Sequence, residues 1–276
     1  MFDPWLARWR LVPDGEPIVT HSSRLLPVRR GREPAMLKIA LEEEERWGGL
    51  LMVWWAGEGA ARVLAHDGDA LLLERAGGPA SLAALARSGP EGDDEASQII
   101  CAAASRLHAT AGRPPPPPLI PLDRWFAELG PAAERHGGVL RLAAAAAREL
   151  LAEPRQVVPL HGDLHHGNVL DFGPRGWLAI DPKRLLGERA FDLANVFCNP
   201  DLETATGSGR LARQASVVAA AAGLERERVL RWVLAYAGLS AAWTLGDGGH
   251  PDVALAVAEI AAAELGDGTA RGEPPG

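Results

Sequence analysis

The stretch 161–181, HGDLHHGNVLDFGPRGWLAID, restricts the fold more than any other part of the chain. A polar, glycine-flanked loop leads into two short apolar runs separated by Gly173-Pro174-Arg175-Gly176. Glycine and proline at that tip mark a turn, so residues 168–181 read as a β-hairpin. Strand side chains alternate faces. Asp171 therefore points away from the face that carries Asn168, and lies roughly 10 Å further along the strand. The returning strand ends at Asp181, back beside Asn168. A metal ion held at Asn168 is thus within reach of Asp181 and not of Asp171. The Asp-Phe-Gly spelling at 171–173 is coincidental, and Asp171 is expected to face solvent or begin the turn, where aspartate is common.

Phosphoryl transfer requires a carboxylate for the acceptor proton, a metal clamp on the phosphates and a positive charge on the nucleotide. His161, Asp163 and Asn168 fit the spacing His-x-Asp-x-x-x-x-Asn of a phosphotransferase loop. Asp163 is placed to accept or orient a hydroxyl proton. Asn168 offers a neutral oxygen to Mg²⁺, a hard ion that prefers oxygen ligands. The competing chemistry is zinc hydrolysis, because His161 and His165 would share an ion on a helix. Gly162, Gly167 and the following strand oppose a helix there, and the remaining histidines form no ligand pair. His161 is expected to hold the loop backbone through its ring nitrogens.

The rest of the chain divides by pattern. Residues 17–40 read as strands around a polar turn at His21-Ser22-Ser23, with Lys38 on the strand PAMLKIA. A helix with an acidic start follows from about residue 41, and Asp67-Gly68 joins two further strands. Gly77-Gly78-Pro79 breaks the chain. Beyond it the pattern is mostly helical, with a stiff proline-rich spacer at 113–121, the hairpin, helices again from about Glu188, and a tail at 266–276 of disordered composition. A strand-rich part followed by a helical part is α+β in two lobes, with a ligand cleft between them. The net charge of −8 argues against nucleic acid and suits a cationic small molecule. Cys101 and Cys198 read as buried free thiols. No secretion signal and no membrane span are visible, so a cytoplasmic location is expected.

The segments LHGDLHHGNVL and WLAIDPKRLLGERAFDLANVF resemble the catalytic core of the aminoglycoside/hydroxyurea antibiotic phosphotransferases, the streptomycin 6-phosphotransferase-like group of the protein-kinase-like superfamily. WWAGEGAARVLAHDGDALLLERA and YAGLSAAWTLGDG extend the likeness. The resemblance implies a protein-kinase-like bilobal fold, with a small β-rich nucleotide-binding lobe over 1–76 and a larger, mainly helical catalytic lobe over 77–276. It implies ATP and Mg²⁺ as cofactors and transfer of the γ-phosphate to a hydroxyl of a streptomycin-type aminoglycoside. Hydroxyurea as acceptor is the alternative within the family, and a non-catalytic nucleotide-binding protein is the alternative outside it. By the same resemblance Asp163 is the catalytic base, and Asn168 and Asp181 hold metal. Lys38 pairs with the nucleotide phosphates, with Glu45 as its helix partner. Backbone groups of Glu74 and Ala76 read the adenine edge. The nucleotide-covering turn THSSRL lacks a glycine triplet, leaving Ser22 and Ser23 to contact phosphate, and Asp181 is followed by Pro182 instead of Phe-Gly. Asp192 is expected to brace the catalytic loop, and Trp243 to line a substrate pocket near Asp247.

Overall fold

Leu26 and Val28, and across a tight turn Ala35 and Leu37, stand at every second position and share one buried face, as the two strands of the central hairpin of the first sheet require. The computed structural model describes residues 1–109, 113 and 116–270. Helix α1 (Asp3–Trp9) precedes strands β1 (Leu11–Pro13), β2 (Ile18–Val19), β3 (Ser23–Arg30) and β4 (Glu33–Ala40). Helix α2 (Glu43–Trp55) and strands β5 (Val63–Asp67) and β6 (Ala70–Glu74) complete the first part. The strands form one antiparallel sheet, β1-β3-β4-β6-β5, with β2 beside β3.

The period of two assigns the faces of this sheet. Ala70 and Leu72 of β6 join Leu26, Val28 and Leu37 in a small core that Trp5, Leu6 and Trp9 of α1 cover. Leu71 and Leu73 point the other way, into the main core. Leu51, Met52 and Trp55 of α2 enter that same core and are almost fully buried. Each such side chain contributes roughly 1.5–3 kcal/mol by leaving water.

The helical part contains α3 (Leu82–Arg87), α4 (Pro90–His108), β7 (Ile120–Pro121), α5 (Leu122–Trp125), α6 (Leu129–His136) and α7 (Val139–Ala152). Strands β8 (Val157–Leu160), β9 (Val169–Asp171), β10 (Trp177–Ala179) and β11 (Leu185–Glu188) follow, then a 3-10 helix at Arg189–Cys198. Helices α8 (Leu202–Ala205), α9 (Arg210–Ala222), α10 (Arg226–Gly246) and α11 (Asp252–Ala270) end the described chain. The central helix α10 is buried over most of its length, as a helix that is apolar all round must be. Among the described residues no helix is long and apolar enough to cross a membrane.

Three expectations are corrected. The helical stretch expected from about Glu188 begins at Arg189, because Glu188 ends β11, a strand that lies between β8 (antiparallel) and β7 (parallel). The end of the proline-rich spacer, Ile120–Pro121, is the parallel partner, whereas positions 114 and 115 lie outside the described residues. Residues 266–270 of the tail continue α11, since a glycine costs a helix only about 1 kcal/mol; residues 271–276 lie outside the described part.

The two parts are joined at the crossing. Arg175, at the tip of the β9–β10 hairpin, pairs with Glu74 and donates to the Gly57 carbonyl at 2.8 Å. The Asp171 carboxylate starts its own turn, accepting from the Gly173 amide at 2.8 Å, and also accepts from the Ala80 amide at 3.3 Å. Its carbonyl accepts from Gly78 at 3.0 Å. Asp171 is thus a fastener between hairpin and crossing.

Candidate active site

The polar loop 161–168 is fixed from below by one carboxylate. Asp192, on the 3-10 helix, accepts from the backbone amides of His161 (2.9 Å) and Gly162 (2.6 Å) and contacts His108 Nε2 at 2.8 Å. Gly162 has φ of +82°, and a Cβ there would meet Leu185 at 2.7 Å, so only glycine fits this turn. His161 is fully buried, and its ring lies near-parallel to Trp55 with centroids 6.2 Å apart. Its Nδ1 accepts from the Asp163 amide at 3.2 Å, which leaves Nε2 to donate to the Ile180 carbonyl at 2.8 Å. Burial keeps this imidazole neutral against the pull of Asp192. Both ring nitrogens of His161 therefore serve the backbone.

Asp163, at the middle of the loop, has both carboxylate oxygens engaged. Asn195 Nδ2 donates to Oδ1 at 2.8 Å, and Asn168 Nδ2 donates to Oδ2 at 3.2 Å and to the Asp163 carbonyl at 2.9 Å. Burial pushes the Asp163 carboxyl up to about 7. The charge of Lys183 opposes that rise, the charge of Asp181 adds to it, and the two amides oppose it. His165 Nε2 lies 4.0 Å from Asp163, while its Nδ1 accepts from Gly167 at 3.0 Å. Burial lowers both His165 and His166 to about 4, so both are neutral at pH 7.

The hairpin register places Asn168 opposite the end of the returning strand: Val169 pairs with Ala179, and the Ile180 amide donates to the Asn168 carbonyl at 2.9 Å. The next residue, Asp181, adopts φ of 61°. This left-handed conformation, tolerated by aspartate better than by most residues, turns its carboxylate out of the strand. It contacts the Lys38 ammonium, which also contacts Glu45 on α2. Burial alone would raise Asp181, but the Lys38 and Lys183 charges outweigh it and hold the carboxyl below its usual range. Helix α2 comes this close because residue 48 is glycine; a Cβ there would sit 2.3 Å from the Pro182 carbonyl.

Lys183 is a site residue that the sequence pattern did not single out. Its ammonium lies 3.7 Å from Glu44 and 3.8 Å from Glu45. Burial opposes its charge, yet Glu44, Glu45, Asp181 and Asp163 together raise its pKa. Asn195 was also missed. It lies one 3-10 turn after Asp192, and in such a helix residues three apart share a face.

Other expected site residues fall differently. Ser22 donates its hydroxyl to Glu45 Oε1 at 2.9 Å. Ser23 is buried, its hydroxyl 2.9 Å from Thr20 Oγ1 and its amide bonded to the same atom at 3.0 Å. Both hydroxyls have partners within the protein; among the polar groups of this pair, the Ser22 amide has no partner within the described residues. The Glu74 amide donates to the Arg62 carbonyl at 2.9 Å, and Ala76 sits half-buried at the crossing. Trp243 packs edge-on against Trp125, with centroids 5.2 Å apart. The cavity next to Asn195 is lined by Ser240 and Thr244 of α10, with Asn199, His250 and Asp252, and holds about 270 Å³.

The donors fit a hard divalent cation. With its Nδ2 committed to Asp163, Asn168 keeps a neutral oxygen, and Asp181 supplies a carboxylate. Among the described residues no group of three or more His, Cys, Asp or Glu gathers as a cage of its own.

The model of the aminoglycoside/hydroxyurea antibiotic resistance kinase family matches residues 8–248. A streptomycin 3''-kinase of Klebsiella pneumoniae is 56% identical, over 88% of this chain and 92% of its own length. A streptomycin 6-kinase of Streptomyces griseus is 34% identical, over 93% of this chain and 85% of its own. Among solved structures, a thermostable mutant of aminoglycoside phosphotransferase APH(4)-Ia in ternary complex with ADP and hygromycin B superposes with a TM-score of 0.64 at 16% identity, covering 96% of this chain and 98% of that one. The β-rich first part and helical second part thus have the arrangement of the kinase-like phosphotransferases, and the chain belongs to the aminoglycoside/hydroxyurea antibiotic resistance kinases.

Proposed function

We propose that the protein transfers the γ-phosphate of ATP to a hydroxyl of streptomycin, with the 3''-hydroxyl as the first position to test. The observation that carries this reading is the meeting of Asp163, Asn168, Asp181 and Lys38 at one cleft, from a loop, both ends of a hairpin and a strand of the first sheet. The identity of 56% to a streptomycin 3''-kinase supports the choice of acceptor and position. In this reading residues 1–76 form the nucleotide-binding lobe and 77–276 the catalytic lobe.

Asp163 orients the acceptor hydroxyl and takes its proton. The Asn168 oxygen and the Asp181 carboxylate would hold Mg²⁺, which supplies charge neutralisation between the phosphates. Lys38, steadied by Glu45, presents its ammonium to the nucleotide. The Ser22 amide is available to a phosphate oxygen, and the Ala76 backbone to the adenine edge. The cavity beside Asn195 receives the acceptor; Asp252 on its wall is a counter-charge for a guanidinium.

The test is γ-phosphate transfer from labelled ATP to streptomycin, other aminoglycosides and hydroxyurea, with the product position read by NMR. Turnover on streptomycin is expected, and Asp163→Ala is expected to lower it by about 10²–10⁴-fold with ATP binding retained. No turnover on any acceptor would overturn the proposal. Turnover on hydroxyurea alone would replace the acceptor.

A further inference from the structure

Asn195 makes two kinds of contact that no general feature of the loop requires. Its Nδ2 donates to Asp163 Oδ1 at 2.8 Å. Its Oδ1 accepts from Asn199 Nδ2 at 2.9 Å, and the same Asn199 nitrogen donates to the Asn195 carbonyl at 2.9 Å. An ionised carboxylate has no proton to give, so the group facing it must be the NH₂ end of the amide. The other end then faces Asn199 as an acceptor, and Asn199 must in turn present its own NH₂. The direction of every bond in the chain is fixed by that one requirement. Asn199 is itself anchored, because its carbonyl accepts from Arg210 at 3.0 Å. Arg210 is clamped by the buried Asp93 carboxylate at 2.8 and 2.9 Å.

The side chain of Asn195 is nearly buried and also forms part of the wall of the 270 Å³ cavity. It therefore touches both the Asp163 carboxylate and the space proposed for the acceptor. We infer that Asn195 is a positioning residue for Asp163, and that Asn199 sets the polarity of its amide so that the carboxylate is held in one direction as a proton acceptor. The inference rests on the phosphotransferase reading for its effect on rate, but on this hydrogen-bond chain for its geometry. Rotating the amide would set its oxygen against the Asp163 carboxylate and its NH₂ against the NH₂ of Asn199, so the arrangement has one stable sense. Asn168 holds the second carboxylate oxygen in the same way.

The experiment uses the full chain and the variants Asn195→Leu, which keeps the volume and removes the polar ends, and Asn199→Ala, which leaves Asn195 free to turn. Asn195→Leu should lower kcat by about tenfold to about a hundredfold, the loss of one hydrogen bond to a charged group. KM for ATP should stay within about twofold, since nothing in the chain of bonds reaches the nucleotide. Asn199→Ala should give a smaller loss of kcat with the same pattern. In an Asp163→Asn background, Asn195→Leu should cost nothing further, because a residue that acts only through Asp163 has nothing left to position. A merely structural residue would lower activity equally in both backgrounds, and that result overturns the inference. A crystal structure of Asn195→Leu gives the independent arm: the Asp163 carboxylate is expected to rotate away from its present direction. An unmoved carboxylate overturns the inference even if kcat falls. If the wild-type protein phosphorylates no acceptor, the functional reading fails, and the crystal structure alone decides whether Asn195 holds Asp163.

Discussion

The Asp163 carboxyl is pushed toward its neutral form by burial and by the Asp181 charge, and toward its ionised form by Lys183 and two amide donors. The balance leaves it titrating at about 7. A base must be ionised to accept a proton, and a raised pKa means that ionisation is lost as pH falls through that value. On the proposed mechanism kcat/KM should therefore rise with pH through about 7 and reach a plateau above it. A pH–rate profile checks this, and an acid limb centred near the ordinary aspartate value would show that the site is more solvated than the structure has it. The return of the hairpin to Asn168 at residues 180–181 was legible in the sequence because strand periodicity and a Gly-Pro turn fix which residues meet. Asn195 and Lys183 were not. Asn195 depends on a 3-10 helix, whose three-residue repeat differs from the α-helical spacing that apolar residues advertise. Lys183 takes its ion-pair partners Glu44 and Glu45 from a helix far away in sequence.

At the scale of elements, the approach of α2 to the 181–183 segment is the most demanding contact. Alanine normally stabilises a helix relative to glycine by roughly 0.5–1 kcal/mol. At residue 48 the sign should reverse, because the new methyl would lie 2.3 Å from the Pro182 carbonyl. Gly48→Ala is expected to destabilise the protein by about 1–3 kcal/mol in urea unfolding. Moving α2 also separates Glu45 from Lys38, so the variant should bind ATP more weakly. A Gly48→Ala protein of unchanged or higher stability would show that the helix does not sit where the structure places it. Gly48 and Gly49 are poor helix formers within α2, and Gly48 has a packing reason invisible to local propensity. Strand β11 was hidden for a related cause. Its partners are Val157–Leu160 and the two-residue strand Ile120–Pro121, and a short strand in a small sheet leaves little local pattern.

For the whole molecule, the division into a strand-rich and a helical part was readable from the switch in period near Gly77-Gly78-Pro79, yet the packing does not follow that line. Helix α2 belongs by sequence to the first part and by burial to the main core. The net charge of −8 acts at this scale as well. It should draw in a polycationic acceptor over distances that salt screens. Between roughly 10 and 150 mM salt, kcat/KM for streptomycin should fall by about two- to tenfold while that for uncharged hydroxyurea, if turned over, stays constant. Equal salt dependence for both would remove steering from the account. The seating of α2 has one more consequence. In kinases whose activity is controlled, the helix that bears the partner of the nucleotide lysine swings in and out. Here Trp55 donates to the Leu107 carbonyl at 3.1 Å, Arg113 holds the Trp54 and Trp55 carbonyls, and three large side chains of the helix are buried in the main core. Withdrawing the helix would expose them at a cost of several kcal/mol, roughly 1.5–3 for each. On the proposed reading such a protein has no idle posture. On that reading its rate is set by the substrates that reach the site and not by movement of this helix.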